Sequence, residues 1–333
     1  MPDMHWSSSP ENRHPFTVQE RDRRWKRMRE ELVRRELDVL LVLPQWSDED
    51  ALYVANQFGI VILPVDREPA LVIGGEASQL QVLMPSWIDD RSSATATGST
   101  RVAYGEAAAR KLKDMGFDGK RIGIAGLRGT RMVSVRQPEG YANYSTVEAI
   151  KAALPNAKIV DGSDVTGEAR HEKSEEEIAV LRDATRVAEA SVEALVREGR
   201  PGMLQARGYG LMVLEQMEAR AEPMVAWCPG GWGEDKWRYV TPPPGLIQPQ
   251  WYICLEVGPL LAGYGCQIAQ CVVAGDLHPQ AKEIFELNQA IFNRALELLK
   301  PGATWGEVEA GTKAAATGGK YEVTFLCHGR GTR

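Results

Sequence analysis

Apolar residues in the first half of the chain recur at both helical and strand spacing. Residues 18–37 place Trp25, Met28, Leu32 and Val33 on one helical face. Residues 39–44 are apolar throughout, as expected of a buried strand. Further strands are predicted at 52–54, 60–64, 70–73, 121–125 and 158–161, further helices at 77–83, 105–115 and 146–154, and a loop at 92–100. This alternation predicts an α/β architecture.

The second half predicts longer elements after a change in composition. Residues 165–174 are charged and polar, which predicts a linker. Long helices are predicted at 175–199, 203–220, 280–299 and 305–316, and a hairpin of strands 251–257 and 267–273 separates the first two helices from the last two. Residues 223–249 are rich in Gly, Pro and Trp and predict a loop, and residues 321–333 predict a short final strand.

Polar residues interrupt the two apolar strands of this hairpin. Glu256 lies in the first strand, and Gln267 and Gln270 lie in the second. Because side chains of paired strands can lie opposite each other, a hairpin can direct an acid and two amides at a common point. The alternative is a hairpin whose polar residues only face solvent, and the spacing leaves both interpretations open.

Composition and charge argue against several classes of partner. With 333 residues the chain is long enough for two domains that each bury a core. The formal net charge is −6, with acidic and basic residues interleaved, which disfavours nucleic acid and anionic membranes. No apolar run reaches the roughly 20 residues of a membrane span. Residues 1–16 form a polar arm that lacks the features of a secretory signal.

The cysteines are odd in number, and most of them lie in apolar strands. We therefore expect reduced core thiols in a cytoplasmic protein. Cys266 and Cys271 have no second cysteine pair to support them, so a zinc knuckle is not predicted.

Four groups of residues together resemble the motifs of one protein family. The groups are Arg170, Lys173, Ser174, Glu177, Ile178, Leu181, Arg182 and Ala184; Glu256, Gly258, Gly263, Tyr264 and Gln267; Pro301 and Gly302; and His328 and Gly329. In this order they resemble the opening run, the hairpin, the helix-ending Pro-Gly and the H-G strand of the M24 family. That family has the pitta-bread fold and includes Xaa-Pro aminopeptidases, prolidases, methionine aminopeptidases and creatinase.

The resemblance implies a specific domain order. A creatinase-like α/β domain is expected at residues 17–164, after the polar arm at 1–16. The linker at 165–174 then leads to a pitta-bread domain at 175–333, a curved and mostly antiparallel sheet with flanking helices. This second domain is expected to be truncated at its C-terminus, because the chain stops at Arg333, shortly after His328. The resemblance also implies a homodimer.

The positions that bind metal in the family's peptidases carry altered residues here. In those enzymes two hairpin aspartates, a histidine and two later glutamates hold a pair of divalent metals. The matching positions are Glu256, Gln267 and His328, while the two glutamates have no counterpart. A neutral amide in place of a bridging carboxylate suits two cations poorly. The resemblance therefore implies either no cofactor, or a divalent metal (Mn, Co, Zn or Fe) if a missing C-terminal segment completes the site.

The loop before the hairpin lacks the histidine with which family members often hold substrate. It carries Trp232, Trp237, Arg238 and Tyr239, which could bind a substrate carboxylate between aromatic faces. Alternatively, these aromatic residues only cover the core. His328 is expected to act as acid or base, Glu256 to orient the reacting group, and Gln267 to contact substrate.

Three functions follow as hypotheses. The first is a hydrolase of C–N bonds in a small amide, amidine or dipeptide-like substrate that works without metal, as creatinase does in this family. The second is a dinuclear metallo-aminopeptidase for Xaa-Pro bonds. The third is an inactive family member that acts as a binding protein.

Overall fold

The chain folds into two compact units. The computed structural model describes residues 16–43, 49–74, 86–94, 100–128, 142–233, 243–315, 321 and 331–332. The first unit comprises Met1–Ala184, Leu260–Gly265 and Gly331–Arg333, and the second comprises Thr185–Pro259 and Cys266–Arg330. The domain boundaries inferred from the sequence stay predictions.

A six-stranded mixed sheet forms the centre of the first unit. Its strands are β1 (Val39–Val42), β2 (Ile60–Pro64), β3 (Ala70–Gly74), β4 (Asp90–Ala94), β5 (Arg121–Ile124) and β6 (Lys158–Asp161). Their order across the sheet is β4-β3-β2-β1-β5-β6. The β1–β2 and β2–β3 pairs are antiparallel, whereas β1–β5, β5–β6 and β3–β4 are parallel. The predicted α/β architecture is confirmed.

Helices bury both faces of this sheet. They are α1 (Val18–Arg34), α2 (Glu49–Ala55), α3 (Thr100–Asp114), α4 (Tyr144–Ala153) and α5 (Ser163–His171). On β1, Leu40 and Val42 belong to the core that includes residues of α1, α2 and α5. Val39 and Leu41 belong to the core that includes residues of α3 and α4. A strand buried on both faces has no position for a polar residue, which explains the apolar run.

Three segments of the first unit differ from their predictions. Residues 165–171 of the predicted linker lie in helix α5, because Val165 and Ala169, four residues apart, bury one helical face in the core. Residues 52–54 lie in α2 rather than in a strand, because three apolar residues carry no period that distinguishes the two structures. Of the loop predicted at 92–100, residues 92–94 belong to β4 and Thr100 begins α3, whereas residues 95–99 lie outside the described residues. Strand β4 is a partly exposed edge strand, so its polar composition concealed it. The helix predicted at 77–83 lies outside the described residues.

Gly105 lies where α3 and α4 approach each other closely. A methyl group on it would lie 2.7 Å from the Thr146 carbonyl oxygen and 2.8 Å from the Ala149 Cβ. We therefore expect Gly105→Ala to lower the free energy of unfolding by about 1–3 kcal/mol, because overpacking outweighs the better helix propensity of alanine. Urea denaturation followed by circular dichroism measures this effect.

Gly210 provides the matched control for that substitution. It lies inside helix α7 (Gln205–Glu218), and a methyl group on it would meet nothing within 4 Å. Gly210→Ala is expected to raise the free energy of unfolding by up to about 1 kcal/mol, because alanine favours the helix. Equal changes in the two variants would contradict the steric argument.

The second unit is built around a three-stranded antiparallel sheet. The remaining strands are β7 (Val225–Gly230), β8 (Trp251–Val257), β9 (Leu260–Leu261), β10 (Tyr264–Gly265), β11 (Ile268–Ala274) and β12 (Gly331–Thr332). Strands β11, β8 and β7 form this sheet in that order, and β12, β10 and β9 form a small sheet in the first unit. The remaining helices are α6 (Glu175–Glu198), α7, α8 (Pro279–Leu298) and α9 (Trp305–Ala314).

The four long helices and the hairpin confirm the prediction for the second half, with ends that shift by a few residues. Strand β7 is a correction, because it lies inside the predicted loop at 223–249. It contains Pro229 and Gly230, which predict a turn. An edge strand tolerates proline, and one side of the β7 backbone has no partner strand among the described residues. None of the described helices is long and apolar enough to cross a membrane.

Candidate functional site

The two faces of strand β8 have different environments. Ile253, Leu255 and Val257 are buried, whereas Tyr252, Cys254 and Glu256 are only half-buried. Side chains alternate between the faces of a strand, so the second set shares one face. The predicted polar residue of the first hairpin strand therefore lies on the more accessible face.

Glu256 and Gln267 form a hydrogen-bonded pair on this face. The Gln267 Nε2–H donates to Glu256 Oε2 at 2.9 Å. The reverse orientation of the amide would place its oxygen against a carboxylate oxygen, so the donor must be the nitrogen. The structure thus brings together two residues that the sequence predicted as a site. Gln270 differs, since its cross-strand partner is Leu255 and it lies on the opposite face.

Small side chains flank Glu256 on both neighbouring strands. Its cross-strand partners are Ala226 on β7 and Ala269 on β11, the smallest side chains after glycine. Among the described residues, no donor bonds to the buried Oε1 of Gln267. A buried acceptor without a partner is costly. This oxygen and the Glu256 carboxylate together offer acceptors to a group that carries N–H or O–H donors.

Trp232 lies in an aromatic cluster near Tyr252, which is on the same face of β8 as Glu256 but toward the start of the strand. Its ring stacks on His278 at a centroid distance of 4.9 Å and is tilted against Tyr252 at 5.5 Å. Tyr252 and Glu256 are four residues apart on one strand, so their Cα atoms are separated by about 13 Å. Within the described residues, Trp232 is therefore not a direct neighbour of Glu256. Its role in substrate binding stays a prediction.

His278 has a structural role in this cluster. Its backbone N–H donates to the Tyr252 hydroxyl at 3.1 Å. Its Nδ1 accepts from the Gln280 N–H at 3.2 Å, which caps the start of α8. Of the other predicted site residues, Trp237, Arg238, Tyr239 and His328 lie outside the described residues, and their roles stay predictions.

A helix cap in the first unit explains why Ser174 and Glu177 of the opening motif are three residues apart. The Ser174 N–H donates to Glu177 Oε2 at 2.7 Å, and the Glu177 N–H donates to Ser174 Oγ at 3.1 Å. This reciprocal pair is a capping box, which satisfies two backbone donors at the start of α6. The serine and the glutamate must be three residues apart for this geometry.

Glu177 also belongs to a buried cluster of charged residues that the sequence analysis missed. The Tyr264 hydroxyl donates to Glu177 Oε1 at 2.5 Å and accepts from Arg24 Nη2 at 3.0 Å. Arg24 Nε donates to Glu20 Oε1 at 2.7 Å, and Arg23 Nη2 donates to Glu177 Oε2 at 2.6 Å. Two carboxylates and two guanidinium groups balance in charge.

Burial and hydrogen bonds from arginine act in opposite directions on the Glu20 carboxylate of this cluster. Burial raises the pKa of Tyr264 well above its ordinary value, so the hydroxyl stays protonated as the donor to Glu177. Burial acts to raise the pKa of Glu20 as well, but the hydrogen bonds from Arg23 and Arg24 outweigh it and lower that pKa. Because every charge has a partner of opposite sign, we assign the cluster a structural role.

The comparisons with known proteins agree with this architecture. Residues 179–333 match the metallopeptidase family M24. The chain is 24% identical over 311 residues to a creatinase from Bacillus sp., a match that covers 89% of this chain and 70% of the relative. It is also 24% identical over 308 residues to an uncharacterized hydrolase/peptidase, y4tL, from Sinorhizobium fredii, with 86% and 73% covered.

A solved structure shares the fold. The Xaa-Pro dipeptidase from Bacillus anthracis superimposes with a TM-score of 0.69 at 18% identity, covering 89% of this chain and 77% of that one. At this identity the likeness concerns the fold alone.

Proposed function

Residues 179–333 belong to the metallopeptidase family M24, and from this premise we propose that the protein hydrolyses a C–N bond of a small substrate without a dinuclear metal centre. The substrate classes that we consider are an amide, an amidine and an Xaa-Pro peptide. The observation that carries the proposal is the hydrogen bond between Glu256 and Gln267 at the two hairpin positions.

The described residues at these positions do not fit two divalent cations. One carboxylate and one neutral amide supply a single negative charge against four positive charges. The Gln267 Nε2–H occupies a Glu256 oxygen, and an N–H cannot bind a cation. Among the residues that the structure describes, no group of three His, Cys, Asp or Glu side chains is arranged to hold a metal. We therefore derive no step through a metal.

The acceptors of the pair favour an amidine or a primary amide among the substrate classes. The Glu256 carboxylate and Gln267 Oε1 can both accept hydrogen bonds, and the carboxylate can balance a positive charge. An amidinium offers both N–H donors and that charge. The nitrogen of an Xaa-Pro bond carries no hydrogen, so only the N-terminal ammonium of such a peptide could bind here.

Each residue then has a stated role in the reaction. Glu256 and Gln267 hold the N–H groups of the substrate and fix the orientation of its reacting carbon. Cleavage requires that water lose a proton as it attacks this carbon and that the departing nitrogen gain one. We assign both transfers to His328, which keeps the acid/base role inferred from the sequence.

Metal content and turnover together test this proposal. We expect protein purified without chelators or a metal-affinity tag to contain much less than one equivalent of metal by plasma mass spectrometry. We expect turnover of guanidino acids such as creatine, or of small primary amides, to be unchanged by EDTA. Substrate loss is measured by liquid chromatography with mass spectrometry.

The family and the fold favour a dinuclear Xaa-Pro peptidase as the second candidate. Two equivalents of Mn, Co, Zn or Fe per chain, with turnover of Xaa-Pro dipeptides that EDTA abolishes, would replace our proposal with this one. If ligands raise the melting temperature but no substrate in either panel is turned over, the protein is a binding protein.

A further inference from the structure

Three cysteines lie side by side across the sheet of the second unit. Cys228 on β7, Cys254 on β8 and Cys271 on β11 are successive cross-strand partners. Cys228 is buried, Cys254 is half-buried and Cys271 is exposed. The expectation that the cysteines are core thiols is therefore wrong for Cys271. It is an exposed thiol next to a second, partly accessible one.

The positions of Cys254 and Cys271 are close to those of a disulfide. Their Sγ atoms are 3.6 Å apart, and a disulfide bond is about 2.05 Å long. The Cα atoms of directly opposed antiparallel residues are about 4.5–5.5 Å apart, within the range that a disulfide spans. The two sulfurs can therefore close the remaining distance of about 1.5 Å mainly by rotation of the side chains, with the ladder of β8 and β11 intact.

We propose that Cys254 and Cys271 are a redox-active pair that closes to a cross-strand disulfide on reaction with a low-molecular-weight disulfide. This proposal does not depend on the hydrolase activity. Its consequence is local, because β8 contains Glu256 and β11 begins directly after Gln267. A covalent bond two residues from Glu256 fixes the two strands against each other on the face of the candidate site.

The reaction balances in two exchange steps. The Cys254 thiolate attacks one sulfur of the small disulfide RSSR, which forms a mixed disulfide and releases RS⁻. Cys271 then loses its proton and attacks the Cys254 sulfur, which forms the protein disulfide and releases the second RS⁻. The two leaving thiolates take up the two protons. Two protein thiols are thus oxidised while RSSR is reduced to two RSH.

Cys254 is the thiol suited to the first attack. Within the described part of this sheet, the groups next to it on the same face are Cys228 and Cys271 on the neighbouring strands, and Tyr252 and Glu256 on its own strand. The hydrogen bond with Cys271 lowers the pKa of Cys254 to about 7, although burial opposes this shift. Because the thiolate is the nucleophile, the rate of alkylation of Cys254 by iodoacetamide is expected to rise as the pH rises through about 7 and to level off above it.

The test uses the full chain in glutathione buffers of graded redox poise, with the disulfides located by mass spectrometry after blocking and digestion. We expect oxidised glutathione to remove two hydrogen atoms from the intact protein and to join the peptides of Cys254 and Cys271. Cys271→Ser should stop the reaction at a glutathione adduct on Cys254. Cys254→Ser should form no protein disulfide and should react at least about 10-fold more slowly.

Cys228→Ser is the matched control, because Cys228 is also a cross-strand partner of Cys254 but is buried. It should leave the disulfide unchanged. Peptide mapping of the oxidised wild-type protein needs no variant, so it tests the proposal even if a variant fails to fold. A bond between Cys228 and Cys254, a glutathione adduct as the end product, or fully reduced thiols at every poise would each overturn the proposal.

Discussion

Arg24→Met is expected to lower the free energy of unfolding by about 3–5 kcal/mol, the cost of removing one partner from a buried ion pair. Arg24 is 1% exposed and donates to Glu20 and to the Tyr264 hydroxyl. Methionine approximates its length but carries no charge. The substitution therefore removes one of the positively charged partners of the buried Glu20. The contacts of the guanidinium with the rings of Phe16 and Tyr53 are lost as well.

Lys26→Met on the same helix is the control for this prediction. Lys26 is exposed and its ion pair with Glu30, at 3.9 Å, lies on the surface. Such pairs contribute about 0–1 kcal/mol, so the control should change the free energy of unfolding by less than about 1 kcal/mol. Urea denaturation gives both values. If the two variants lose equal stability, the charges of the cluster are not held as the structure indicates.

The pH dependence of the same variant provides a second check. The lowered pKa of Glu20 in the folded wild type means that its contribution to stability is present above about pH 4.5 and is lost as the pH falls through the folded pKa. In Arg24→Met the pKa of the buried Glu20 rises. Protonation of Glu20 at low pH then removes the cost of an incompletely paired charge from the folded variant. The difference in stability between the two proteins should therefore shrink as the pH falls toward 4. A difference that is constant from pH 7 to pH 4 would show that lost packing, not charge, is the cause.

The sequence predicted those elements whose burial follows a simple period. The apolar run at 39–44 predicted β1 because both faces of that strand are covered, and Trp25, Met28 and Leu32 predicted α1 because they face one core. Val33, predicted on the same helical face, is exposed. The edge strands β4 and β7 escaped prediction for the opposite reason. Strand β4 is polar and β7 contains Pro229, since a strand with one neighbour tolerates both.

The candidate site could be predicted only where a polar residue interrupts an apolar pattern. Glu256 and Gln267 interrupted the hairpin, and the structure pairs them. The buried cluster gave no such signal, because charged residues on a helix are usually exposed and Glu20 and Arg24 resemble an ordinary surface pair four residues apart. Of the cluster residues, only Glu177 and Tyr264 were singled out from the sequence, because they belong to motifs that resemble those of a known family. The sequence did not reveal their part in a buried charged cluster.

Glu256→Gln is expected to lower kcat/KM by about 10²–10⁴-fold on the substrate that the protein turns over, the range for loss of a positioned charged group in catalysis. The substitution keeps the size of the side chain and a carbonyl acceptor for Gln267, but it removes the negative charge. Because Glu256 is half-buried and lies between Ala226 and Ala269, the variant should fold normally. Glu218→Gln, at an exposed position on α7, is the control and should keep full activity.

Glu256→Asp separates the two mechanisms, because both predict a loss for Glu256→Gln. Aspartate is one methylene shorter, so its oxygens withdraw by about 1.5 Å and the 2.9 Å hydrogen bond from Gln267 is broken. Without a metal, the misplaced carboxylate lowers kcat/KM by about 10²-fold, since positioning of the reacting group is lost. In a dinuclear centre, aspartate is the residue that the family's peptidases carry at this position, and Glu256→Asp would bind Mn²⁺ more tightly and keep or gain activity. Metal titration by calorimetry and kcat/KM with and without Mn²⁺ distinguish these outcomes, and a gain with Mn²⁺ would refute the metal-free mechanism.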